Sequence, residues 1–128
     1  MLLRLRKGED RRLRAGHPWV FSNEVDTAST PLTAFTPALT ARVVSDRDAF
    51  LGYAYVNPHA LISARLLSRD ERREPDAALL AGRIGRALRL RARLYPTPHY
   101  RLVFGESDEL PGLILDRYGD VVVGQIAT

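Results

Sequence analysis

Residues 41 to 68, "ARVVSDRDAFLGYAYVNPHALISARLLS", constrain the fold more than any other stretch of this 128-residue chain. Three apolar runs follow one another here with polar breaks between them. Ala41 to Val44 reads as one strand, Ser45 to Ala49 as a polar turn and Phe50 to Val56 as the returning strand. Asn57-Pro58 breaks the pattern, because proline disfavours helix at the residue before it and cannot donate to a ladder. A third run then places Ile62, Ala64 and Leu66 on one face. Short strands at this spacing predict a small barrel or sandwich.

The segments on either side extend that reading. "LLRLRKGED" alternates, with Leu3 and Leu5 facing one way and Arg4 and Arg6 the other, a half-buried strand ending at Lys7-Gly8. "EDRRLRAG" predicts one or two helical turns closed by Gly16, and "HPWVFSNEV" an extended segment. Residues 27 to 40, rich in Thr, Pro and Ala, read as a loop with one short strand. The charged stretch "RDERREPD" reads as a linker, with Asp76 capping the helix that follows. "AALLAGRIGRALRLRARLY" is that helix, stopped by Pro96. Its pitch puts Leu80, Ile84, Leu88 and Tyr95 on one side and Arg83, Arg86, Arg89 and Arg93 on another. "YRLVFG" reads as a strand, and "LPGLILDRYGDVVVGQIAT" as two strands joined around Tyr118-Gly119-Asp120. The expected fold is therefore mixed α/β: a β-barrel over 1–72, a linker and helix over 73–98, and over 99–128 the first strands of a truncated α/β domain.

Charge and composition narrow the function classes. Lysine and arginine total 19 against 15 acidic residues, a formal net charge of +4. All but Lys7 of those cations are arginines. Arginine grips phosphate with a planar fork and stacks on flat rings, so a polyanion, nucleic acid first, is the favoured partner. A codon bias toward arginine explains the same count. The chain has no cysteine, which removes disulfides, thiolate metal sites and cysteine nucleophiles from these residues. No apolar stretch approaches the roughly 20 residues of a membrane span, and a cytoplasmic location is the expectation.

The strongest candidate site is "RRLRAGHPWVF". Arg11, Arg12 and Arg14 would give phosphate contacts without sequence choice, and Trp19 or Phe21 a face for an unpaired base. Against this, Trp19 and Phe21 equally suit a barrel core, with the arginines merely solvated. His17 would pair with a phosphate or cap the arginine turn. The helix stripe Arg83, Arg86, Arg89 and Arg93 suits RNA and a solvated face alike. His17, His59 and His99 are too scattered for a metal motif. Glu106, Asp108 and Glu109 read as a turn cap rather than an acid–base pair. No Gly-x-Gly-x-x-Gly, Walker-type or His-Glu-x-x-His motif occurs, and no catalytic residue is assigned.

Three blocks carry a resemblance. "LRLRKGEDRRLRAGHPWVFSNEV", "ARVVSDRDAFLGYAYVNPHALISARLLSRDE" and "FGESDELPGLILDRYGDVVVGQI" together resemble the N-terminal third of the S-adenosylmethionine-dependent 23S ribosomal RNA cytosine-5 methyltransferases. The resemblance implies that residues 1 to about 72 are a PUA domain binding structured RNA. It implies that residues from about 75 begin the central α/β domain. The family's Arg-x-Gly-His-Pro-Trp block falls on Arg14, Gly16, His17, Pro18 and Trp19, which joins Gly16 to the RNA-binding candidates. Asp116 to Asp120 fall on a hairpin read as structural. The family's Rossmann-like catalytic domain, with its glycine-rich cofactor loop and cysteine nucleophile, is not matched, so no cofactor is expected on these residues. The chain is expected to be a fragment, inactive by itself, that docks ribosomal RNA. The alternatives left open are a stand-alone PUA-type RNA-binding module and a protein-interaction barrel with incidental arginines. Oligomeric state is not legible.

Overall fold

A computed structural model describes residues 1–127. The chain divides into two compact units, Met1–Pro75 and Asp76–Thr128, taken here one at a time.

The first unit is a five-stranded curled sheet, a half-barrel, in the order β1-β3-β4-β5-β2. Its strands are β1 (Leu2–Arg4), β2 (Trp19–Phe21), β3 (Thr40–Val44), β4 (Phe50–Val56) and β5 (Ile62–Ser68). β1 runs parallel to β3, and the other pairs are antiparallel. The predicted β3–β4 hairpin is present with its turn at Ser45 to Ala49. A closed barrel is not formed. The two edges meet instead through a single Leu5–Val25 bridge, flanked by Arg6 N–H donating to Glu24 O and Asp26 N–H to Arg4 O, each at 2.9 Å. β1 and β2 have three residues apiece, too short to zip the sheet shut.

Alternation puts Leu3, Leu5, Val43, Ala54, Val56 and Ala64 into the core, joined by Leu13 and Phe35. Two expectations change. No strand forms between 27 and 39; that segment holds a 3₁₀ turn, Leu32–Ala34, behind Pro31, and Phe35 is its buried anchor. On β2 the residue that fills the core is Val20, fully buried, whereas Trp19 and Phe21 are only half-buried on the opposite face. Strand alternation allows only one of the two faces of "WVF" to point inward.

The second unit packs α2 (Ala77–Leu94) on a three-stranded antiparallel sheet of β6 (His99–Phe104), β7 (Leu113–Tyr118) and β8 (Val121–Ile126), in that order. Asp76 caps α2 as expected, its Oδ1 accepting from Leu79 N–H at 2.8 Å. The predicted face of the helix packs only in part, at Ile84 and through Tyr95, which stacks on Tyr100. Ala87 is buried with Ile84 beside it, against Leu102, Val103 and Leu110, while Leu80 and Leu88 are exposed. Arg91, about 20° around the helix from Ile84, shares the inward side.

Candidate nucleic-acid interface

The turn α1 (Arg11–Arg14) is one helical turn with one apolar residue, Leu13, which is fully buried. Fixing Leu13 inward throws Arg11, Arg12 and Arg14 outward. The turn ends in a Schellman motif: His17 N–H donates to Arg12 O and Gly16 N–H to Leu13 O, both at 3.0 Å. Gly16 sits at φ +106°, a backbone state that a side chain would strain. Glycine is therefore required here by the turn itself.

A residue the sequence reading passed over completes the loop. Arg69, just past β5, donates from Nη1 to Leu13 O at 2.7 Å and from Nη2 to His17 O at 3.0 Å. Leu66 N–H also donates to Pro18 O at 2.7 Å. The end of β5 and Arg69 thus hold the Gly-His-Pro segment at two carbonyls and the turn before it at a third, Leu13 O. Arg69 follows its partners by more than 50 residues, so no local pattern announces it.

The three arginines of the turn have different fates. Arg12 Nη1 binds Glu24 Oε1 at 2.8 Å, and its guanidinium lies 4.8 Å from the Phe21 ring centre. Glu24 is buried, 4% exposed, and its other oxygen accepts from Phe21 N–H at 2.8 Å. Arg12 is therefore neutralised by an acid inside the fold. Arg14 pairs with Asp10 at 2.5 Å on the surface, and that hydrogen bond holds the Asp10 carboxyl below its ordinary range. Arg11 is exposed and makes no ion pair among the described residues.

Beside this turn lies an open groove of about 360 Å³. Lys7, Arg11, Arg14 and Arg47 line it, with Asp10 and Asp46 as the acidic lining. Its far wall is the β3–β4 turn. Ser45 Oγ accepts from Arg47 N–H and Ala49 N–H, both at 3.2 Å, and Arg4 reaches Asp48 at 2.7 Å. Both walls are built on fixed backbone, and four cations face one concavity with a local excess of two positive charges. Lys7 and Arg47 lie 40 residues apart in the numbering; only hairpin geometry brings Arg47 to the turn.

The arginines of the helix stripe differ in their partners. Arg83 donates to Glu109 O at 2.6 Å, and Arg86 binds the Glu109 carboxylate. Burial lowers the Arg83 pKa, against the opposing pull of Glu109. Arg91, outside the predicted stripe, forms a two-pronged pair with Asp108, including Nη2 to Oδ2 at 2.8 Å. Asp108 and Glu109 of the acidic run are thus the partners of Arg91, Arg83 and Arg86, with Asp108 also accepting from Phe104 N–H at 2.7 Å. Arg89 and Arg93 remain exposed, with no ion pair among the described residues. In the Asp-Arg-Tyr-Gly-Asp block, Asp116 pairs across the strands with Arg101 at 2.8 Å, and Arg117 donates to Gly119 O and Tyr100 Oη. Among the described residues, no group of three or more His, Asp or Glu side chains is placed to hold a metal ion, and no helix is long and apolar enough to cross a membrane.

Fold and site together define a class, a small half-barrel β domain with a basic groove, followed in sequence by an α/β unit. A family profile described as PUA-like domain matches residues 3–69, and the chain belongs to that family. Over nearly its whole length it is also homologous to large-subunit ribosomal RNA methyltransferases, at their N-terminal part. It is 34% identical to the ribosomal RNA large subunit methyltransferase of Deinococcus radiodurans, covering 98% of this chain and 32% of the relative. With the ribosomal RNA large subunit methyltransferase I of Vibrio cholerae the identity is 38%, covering 94% of this chain and 30% of the relative. The chain thus spans about a third of the length of these relatives. Among solved structures, SMU.776, described as a candidate methyltransferase complexed with SAH, superposes with a TM-score of 0.78 at 20% identity. The match covers all of this chain and 33% of that one. A candidate SAM-dependent methyltransferase from Streptococcus mutans superposes with a TM-score of 0.75, also at 20% identity. At that identity these two likenesses concern the fold.

Proposed function

We propose that this chain is the RNA-docking region of an S-adenosylmethionine-dependent methyltransferase acting on cytosine C5 in large-subunit ribosomal RNA in the cytoplasm. The second unit is read as the start of the central α/β domain that would join it to the catalytic one. The observation that carries the reading is the groove, where Lys7, Arg11, Arg14 and Arg47 face one concavity between two fixed turns. Guanidinium and ammonium groups so placed take phosphate oxygens along a backbone. Trp19 and His17 belong to the same loop, and Gly16 shapes it. Arg12, Arg83 and Arg86 are left out, because carboxylates from distant segments hold them; Arg14, paired on the surface only with its neighbour Asp10, becomes a contact when that pair opens. Arg89 and Arg93 stay in, as a second, weaker phosphate contact.

The groove does not fit the methyl donor. S-adenosylmethionine brings a sulfonium and an ammonium, and four cations line this concavity. The 128 residues also contain no cysteine to supply the attacking thiolate. The work derived for them is therefore binding and orientation of RNA, with no bond-making step.

The test is a fluorescence-anisotropy titration with a large-subunit rRNA hairpin over a range of salt. With Arg14 held by Asp10, three phosphate contacts, from Lys7, Arg11 and Arg47, give a log–log salt slope of about −2 to −3. Changing Lys7, Arg11, Arg14 and Arg47 together to alanine is expected to abolish most of that slope. Unaltered affinity and slope would remove the groove from the RNA surface. Weak binding that ignores salt would favour a protein partner.

A further inference from the structure

We infer that Arg69 is the positioning residue of this groove: it holds the arginine turn in its RNA-ready geometry and does not itself touch phosphate. The inference rests on the reading of the groove as an RNA site.

Both arms of the guanidinium fork are already occupied, by Leu13 O and His17 O at 2.7 and 3.0 Å. Those two carbonyls flank Gly16, where the chain reverses at φ +106°. Leu13 is the one residue of α1 that enters the core. Fixing its carbonyl fixes the azimuth of the turn, and with it the directions of Arg11 and Arg14 on either side.

Arginine suits the task because its donors sit in a rigid plane at a set spacing and reach two carbonyls at once. A lysine ammonium would reach the same carbonyls only as a flexible point charge. The last carbonyls of a helical turn carry partial negative charge, which favours a cation there. Arg69 has no carboxylate partner among the described residues, and burial alone draws its pKa down. The group is thus partly desolvated against carbonyl oxygens, with one N–H of each arm taken up by the protein although the residue stays exposed. The turn has only four residues, so its own hydrogen bonds hold it weakly. The hold from β5 makes up the difference.

The experiment compares the 128-residue chain with Arg69→Met, Arg69→Lys and Arg11→Ala. Each is titrated with the rRNA hairpin at several salt concentrations and unfolded in urea. Arg69→Met keeps the apolar stem and removes the donors. It is expected to weaken RNA binding about tenfold, the cost of re-ordering two freed side chains and their loop on binding, with the salt slope unchanged. Arg69→Lys is expected to recover part of that loss. Arg11→Ala should instead reduce the slope by about 0.7 to 0.9. A slope reduced by the same amount in Arg69→Met would make Arg69 a phosphate contact and overturn the inference. So would wild-type affinity in Arg69→Met while Arg11→Ala weakens binding, and in that case the groove itself stands. If Arg69→Met fails to fold, Arg69→Lys decides: an affinity loss at unchanged slope supports positioning, and wild-type affinity overturns it. Salt-independent binding by the wild-type chain overturns the groove, and this inference with it.

Discussion

Replacing Arg12 by alanine separates the structural arginine of the turn from those that face the groove. Arg12 Nη1 lies 2.8 Å from Glu24 Oε1, and the Arg12 side chain is 40% exposed against 6% for the Glu24 side chain. Removing one partner of a fully buried pair costs about 3–5 kcal/mol. Here water already reaches the arginine, and Phe21 N–H still binds the remaining carboxylate, so screening brings the figure to about 2 kcal/mol. Loss of the contact with the Phe21 ring at 4.8 Å adds about 0.5 kcal/mol. For a unit of this size about 2–3 kcal/mol lowers Tm by roughly 10–20 °C. Trp19, the single tryptophan, reports the transition: urea unfolding followed by its fluorescence should show a lower midpoint at unchanged m-value. RNA binding by the folded fraction should keep its salt slope. Destabilisation below about 0.5 kcal/mol, together with a slope reduced by about 0.7–0.9, would refute the argument and return Arg12 to the RNA surface.

Three further outcomes follow from particular contacts. Asp10→Asn releases Arg14 from its carboxylate; RNA affinity should rise and the salt slope steepen toward one additional contact, and an unchanged slope would show that Arg14 does not reach phosphate. Gly52→Ala places a Cβ 2.6 Å from Leu66 Cδ2 and 2.9 Å from Ser68 O; the leucine can turn but the β5 backbone cannot, so urea unfolding should show a loss of about 1–3 kcal/mol. In the second unit, burial raises the Asp108 pKa, but the Arg91 and Phe104 N–H bonds outweigh it and the net value is lowered. The stabilisation is therefore present above the ordinary carboxylate value of about 4 and is lost as pH falls through the lower folded value. Asp108→Asn should flatten that part of the stability profile read by circular dichroism, and a parallel profile in the variant would contradict the assignment.

How much could be read from the residues alone depends on the range of the interaction. The β3–β4 hairpin, the Asp76 cap, the turn closed by Gly16 and the β7–β8 hairpin were legible. Each is specified by neighbours a few residues apart through strand alternation, capping and positive φ. The groove was legible only in part. Arg11 and Arg14 stood out, because three arginines in one short turn are conspicuous, whereas Lys7 and Arg47 carried no such signal. The helix was placed correctly in the chain, and its inward face was right at Ile84 but not at Leu80 and Leu88. Leu80 and Leu88 looked like the buried face, yet Ala87 and Arg91 occupy it, because Asp108 on another segment supplies the charge that lets an arginine turn inward.

By itself, then, the sequence determined where most strands and the long helix lie, which turns need glycine, and that the chain would carry an excess of arginine over acid. Tertiary structure alone decided which arginines remain available. Glu24 holds Arg12, Glu109 holds Arg83 and Arg86, and Asp108 holds Arg91. Each of those pairs joins residues at least 12 positions apart. Local rules set backbone conformation, but the neutralisation of a charge depends on what the folded chain brings within about 4 Å of it, and no periodicity encodes that.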